Sequence, residues 1–122
     1  MKREIKFRGK RIDNETWEYG SLVILNGRYF IFNDECRVEV VPSTVGQYTG
    51  LKDKNGREIY EGDIFQAGYF GGTDVVIWDN KNARYIGRSP QGCISYVGRE
   101  PAVEVLGNTH DTPELLKTVR HE

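Results

Sequence analysis

The sequence predicts a mainly β fold, short antiparallel strands forming small barrel or sandwich subdomains, with one short helix at the C-terminus. Three observations carry that prediction. Apolar residues recur with a period of two in short runs, the mark of half-buried strands. Clusters of Gly, Asn and Asp separate those runs at the spacing of turns. The chain of 122 residues also holds Gly 14 and an aromatic share of 11%, which suits thin sheets whose rings each cover a large area.

The elements follow in order. Ile5-Lys6-Phe7-Arg8 alternates apolar and basic residues, and Gly9 ends the run. Asp13-Asn14-Glu15 supplies a turn before residues 17–25, where Gly20 marks a bulge or a change of buried face. Asn26-Gly27 is the strongest short hairpin motif available and predicts a type I′ turn, with residues 28–32 as the returning strand. Residues 37–41 alternate again until Pro42 stops them. The middle segment, residues 46–62, is rich in turns, with Lys52-Asp53-Lys54-Asn55-Gly56 as a tight one. Strands are then predicted at residues 63–67, 74–78, 83–86, 94–97 and 103–106. Residues 62–86 have the look of an SH3-like barrel, a likeness of fold that carries no function. At the end, Thr112 caps a helix, Pro113 takes its first position and Glu114 favours its positive end.

The length fits one domain over residues 1–122, built on one core or on two small β subdomains of about residues 1–60 and 61–122. Net charge is −1, yet residues 2–11 carry Lys2, Arg3, Lys6, Arg8, Lys10 and Arg11 against Glu4 alone. That cluster reads either as a nucleic-acid footprint or as a charged edge strand that resists aggregation, and the second is favoured. Membrane insertion is not expected, since no apolar run approaches the roughly 18–20 residues a span requires. Cys36 and Cys93 stand apart without metal-ligand spacing and are expected to be buried, free thiols in a cytoplasmic protein.

The candidate chemistry is sparse. Glu61 and Asp63, two apart on a strand, would share a face as paired carboxylates, but turn capping by Asp63 is the favoured role. His110-Asp111 could serve as a base or metal ligand, though Asn108, Thr109, Asp111 and Thr112 read better as a turn and helix cap. No cofactor or metal is expected. Candidate nucleic-acid contacts are Lys6, Arg8, Lys10 and Arg11, and candidate partner contacts are Tyr48, Lys52, Lys54, Arg57, Tyr60, Tyr69 and Phe70.

Three segments together resemble the YopX family. They are Ile5 through Arg11, the long central run from Gln47 through Asp63, and Gly107-Asn108-Thr109-His110-Asp111 followed by Pro113-Glu114-Leu115-Leu116. Their order and spacing match nearly end to end. The resemblance implies a largely β, cytoplasmic protein encoded by phages or prophages. It transfers no functional residue, because no biochemical activity is established for the family.

The leading expectation is a non-catalytic binding or assembly protein, a homo-oligomer that contacts a host or phage protein. The alternatives are a nucleic-acid-binding protein using the basic N-terminal cluster, and an enzyme built on the carboxylates or His110.

Overall fold

The structure, a computed structural model, describes residues 4–66, 72–97 and 103–119. It is mainly β, with two antiparallel sheets. The chain divides into two compact units, Met1–Gly50 and Leu51–Glu122.

The first unit is a meander. Strands β1 (Phe7–Lys10), β2 (Trp17–Leu25), β3 (Arg28–Phe32) and β4 (Arg37–Val40) pair in succession. After a 3-10 turn at Pro42–Thr44, β5 (Gly46–Lys52) returns to pair with β1. Local chemistry sets each corner. Asn26 (φ 51°) and Gly27 (φ 79°) both take the left-handed conformation a type I′ turn requires. The Asn33 side-chain oxygen accepts from the Glu35 and Cys36 amides, each at 2.9 Å, and fixes the next turn. The Thr44 hydroxyl accepts from the Lys10 amide at 2.9 Å and donates to the Val41 carbonyl at 2.6 Å, tying the turn to β1.

Ile31 and Val40 are fully buried, and Gly9 leaves room for Val40, since a Cβ there would lie 2.9 Å from its Cγ2. Gly20 sits where β2 passes from pairing with β1 to pairing with β3. A Cβ at that point would stand 2.2 Å from the Phe32 carbonyl oxygen.

The second unit contains β6 (Glu58–Tyr60), β7 (Asp63–Gln66), β8 (Thr73–Asp79), β9 (Arg84–Arg88), β10 (Ile94–Ser95) and β11 (Glu104–Asn108). Strands β7 to β10 again pair in succession, and β11 returns to β7 with an irregularity between Val105 and Gly107. Ile59, Phe65, Val76, Val97, Val103 and Val105 form its core, with Tyr85 packed against them. Strand order is β4-β3-β2-β1-β5 in the first unit and β10-β9-β8-β7-β11 in the second, so one topology occurs twice. The sequence shows no repeat because strand pairing constrains spacing and alternation rather than residue identity.

One expectation needs correction. The barrel alternative, including the SH3-like closure of residues 62–86, gives way to open sheet orders among the described residues. In the first unit the chain after β1 meets β4 at an isolated bridge, Arg11 to Val40, where the Val41 amide donates to the Lys10 carbonyl at 2.8 Å and the Ile12 amide to the Glu39 carbonyl at 3.1 Å, too short a contact to form a ladder. The expected short C-terminal helix is present as a 3-10 helix, Pro113–Val119. The Thr112 hydroxyl turns back to Asn108, accepting from its amide at 3.1 Å and lying 3.2 Å from its carbonyl oxygen.

Gly20→Ala is expected to lower unfolding stability by about 1–3 kcal/mol, because the added methyl meets backbone rather than a movable side chain. Urea denaturation checks this, and a loss below about 0.5 kcal/mol would show that β3 shifts freely at Phe32.

Candidate binding surface

Asp53, Asp63 and Asn108 hold turns, and the His110 and Asp111 amides take part in the last of them. Asp53 is buried. One of its oxygens accepts from the Asn55 and Arg57 amides, each at 2.9 Å, and the other accepts from the Val105 amide at 2.9 Å. It thereby fastens the turn after β5 to β11. Burial pushes this carboxyl up, but the bonds from Val105, Arg57 and Asn55 outweigh that and hold it below the ordinary aspartate range. Asp63 is 1% exposed and accepts from the Tyr60 amide at 2.7 Å, across a turn that Gly62 (φ 93°) permits. Asn108 organises the third turn, its side-chain oxygen accepting from the His110 amide at 2.9 Å and the Asp111 amide at 2.8 Å. His110 lies exposed on that turn.

Among the described residues, no group of three or more His, Cys, Asp or Glu side chains is placed to hold a metal ion. Cys36 and Cys93 are free thiols, but Cys93 is exposed and Cys36 only half-buried, contrary to the expectation of two buried thiols. The cause at Cys93 is a tight turn, where its amide donates to the Ser89 hydroxyl at 2.9 Å. Burial, followed by the neighbouring Glu18, pushes the Cys36 thiol up.

The predicted partner contacts separate. Tyr48 and Tyr60 are buried at 5% and 3% exposure, which takes both rings out of a contact surface. Tyr60 donates its hydroxyl to Glu58 at 3.0 Å. Lys52, Lys54 and Arg57 are exposed around the turn after β5, with Lys54 3.5 Å from Glu104. Tyr69 and Phe70 lie outside the described residues.

The basic N-terminal residues also separate, by strand alternation. Lys6, Arg8 and Lys10 lie on one side of β1, and register places Arg8 opposite Tyr19 and Lys10 opposite Trp17. Each cation sits over a ring: Lys6 Nζ 5.4 Å from the Tyr48 centroid, Arg8 Cζ 4.7 Å and Lys10 Nζ 5.7 Å from that of Trp17. Arg8 is buried, while Tyr19 is 45% exposed.

Alternation along β2 and its hairpin partner adds Arg28, Phe30, Phe32 and Arg37 to the same side. Arg28 lies 5.5 Å from Phe30 and Arg37 5.5 Å from Phe32. Arg28 also grips Glu39 through two hydrogen bonds, at 3.1 and 2.6 Å. Arg11 points to the opposite side, bonded to Asp13 at 3.0 Å and Glu18 at 3.3 Å. Its hydrogen bond is the first cause holding the Asp13 carboxyl below the ordinary range.

One side of the first unit's sheet therefore interleaves cations with aromatic rings, a contact worth roughly 0.5–1 kcal/mol per exposed pair. The linear cluster runs through Arg11, whereas strand pairing groups Lys6, Arg8 and Lys10 with Arg28 and Arg37. The period of two on either side of Asn26-Gly27 was the signal that joins them.

A family profile described as YopX protein matches residues 2–117. The crystal structure of protein EF1440 from Enterococcus faecalis is similar in fold, with a TM-score of 0.63 and 20% sequence identity over 94% of this chain and 99% of that one. A comparison with curated proteins finds no match.

Asp53→Asn is expected to cost about 1–3 kcal/mol near neutral pH, because an amide nitrogen would face a buried N–H donor. The folded-state carboxyl titrates below its unfolded value, so its contribution is complete above the ordinary aspartate range, about pH 4, and is lost as pH falls through the folded value. Denaturation at several pH values should show the difference between wild type and variant shrinking in acid. A difference that held constant would assign the role of Asp53 to something other than its charge.

Proposed function

The chain belongs to the YopX family, and from that footing we propose that it is a non-catalytic binding protein whose contact surface is the cation–aromatic side of its first unit. The single observation behind this reading is the interleaving of Lys10, Arg28 and Arg37 with Trp17, Phe30 and Phe32 beside the exposed Tyr19, with the buried Arg8 set against Trp17. Aromatic residues and arginine are the residue types that dominate binding energy at interfaces. The non-catalytic part draws support from Asp63, Asn108 and the His110-Asp111 pair, whose polar groups or amides serve turns.

In this reading the protein serves a phage or prophage function in the cytoplasm of a bacterial cell, as a homo-oligomer with a host or phage macromolecule as its partner. Self-association draws support from the exposed Ile24, Leu25 and Ile94 side chains. The candidate acids and histidine would have to line a common cavity for the enzyme reading to stand.

Immobilised wild-type protein is expected to retain a specific macromolecule from bacterial extract, and Tyr19→Ala with Arg37→Glu to lose it. Retention unchanged by those substitutions but abolished by Lys54→Glu with Arg57→Glu would move the surface to the turn after β5 and overturn the assignment. Light scattering is expected to give a mass above 14.0 kDa. A mass equal to that value would remove the oligomer.

A further inference from the structure

β2 is the longest of the described strands, and its two edges are used unequally. Residues 17–20 pair with β1 on one edge, and residues 21–25 pair with β3 on the other. Beyond Gly20, the edge lined by β1 carries no further rung among the described residues. The hydrogen-bond pattern fixes what that edge offers. Leu25 and Arg28 flank the two-residue turn at Asn26-Gly27, where the flanking pair exchanges both backbone bonds. Bonds to β3 therefore fall at Leu25, Val23 and Ser21, and the amides and carbonyls of Leu22 and Ile24 point the other way.

Edges of this kind are ordinarily guarded by charge, proline or brevity. β4 carries Arg37 and Glu39, and β10 has two residues. The run from Tyr19 to Leu25 has neither charge nor proline, and Ile24 and Leu25 are 52% and 57% exposed. Whatever occupies the edge must also fit a short stretch. Phe7, opposite Gly20, closes one end, and the Asn26-Gly27 turn closes the other.

A second copy of this strand meets that limit, because it is equally short and its own turn carries the chain away before Phe7. A longer extended peptide would run into β1. Antiparallel pairing about a two-fold axis sets Ile24 opposite Ile24 of the partner subunit, so the outward amide and carbonyl of each serve the other. With no charge in the run, no like charges are brought face to face. We infer that β2 pairs with β2 of a second copy along Ser21–Leu25, about a two-fold axis at Ile24. The inference rests on the homo-oligomer proposed above and names its interface.

Sedimentation of the full chain over a range of concentrations tests this, together with amide hydrogen exchange. The mass is expected to approach twice 14.0 kDa, with the Leu22 and Ile24 amides gaining protection as it does. Ile24→Lys should raise the dissociation constant about tenfold or more, and Ile24→Glu likewise, since each sets like charges opposite one another. Mixing the two variants should restore the dimer, because a self-opposed position then pairs opposite charges. Ile94→Lys, at the exposed apolar residue of β10, should leave the mass unchanged.

An oligomer that survives Ile24→Lys, or is lost only with Ile94→Lys, would overturn the inference and leave self-association standing through another surface. Two dissociated variants that mixing fails to rejoin would overturn the two-fold at Ile24. A monomer at every concentration would end the inference and the oligomer together. Exchange is read on the unaltered chain, so Leu22 and Ile24 amides left unprotected in an oligomer would overturn the pairing even if a variant failed to fold.

Discussion

Each unit depends on a strand that comes back: β5 onto β1 in the first, β11 onto β7 in the second. Hairpins between consecutive strands close short loops at little entropic cost, whereas a returning strand must bring together residues far apart in the chain. The buried polar side chains gather near these closures. Thr44 takes the Lys10 amide next to the β1–β5 pairing, and Asp53 takes the Val105 amide on β11. A buried N–H without an acceptor costs about as much as a lost hydrogen bond, so these side chains complete pairings the ladders leave unfinished.

That constraint explains why the central segment is so distinctive. Gly50, Gly56 and Gly62 take positive φ, Ile59 fills the core, and the Asp53 and Asp63 carboxylates bond backbone amides. The amide donors hold the Asp53 carboxyl below the ordinary aspartate range, which keeps it ionised and makes it a poor proton carrier near neutral pH. Conspicuous residues here answer to the backbone. The less conspicuous alternation of β1 to β4 is what gathers cations and aromatic rings on one side of the sheet.

The two units share a strand order but treat their sheets differently. In the second, the Thr73 hydroxyl donates to the Leu115 carbonyl at 3.1 Å, so the C-terminal 3-10 helix packs along β8. In the first, aromatic rings on one side of the sheet are shielded by their own cations. A chain whose apolar share is only 38% cannot cover both sides of two sheets with aliphatic residues. Cations with long apolar stems are an economical cover for rings, and they leave charge at the surface.

The sequence by itself determined the β class, the strand at residues 17–25, the Asn26-Gly27 corner and the hairpin it joins, because alternation and positive-φ turns are local properties. It also determined that Pro42 ends a strand, since proline lacks the amide a ladder needs. Family membership was legible in residues 47–63 and 107–116 for the same reason, their turns demanding particular residues at fixed positions. Only the tertiary structure decided which basic residues belong together. Lys10 and Arg11 are adjacent in the chain but lie on opposite sides of the sheet, whereas Lys10 and Arg37 share a side through pairings that span three strands. It also decided the burial of Tyr48 and Tyr60, the exposure of Cys93 and the repetition of one strand order. Each of these depends on contacts between residues distant in sequence, and no local pattern encodes which strand lies beside which.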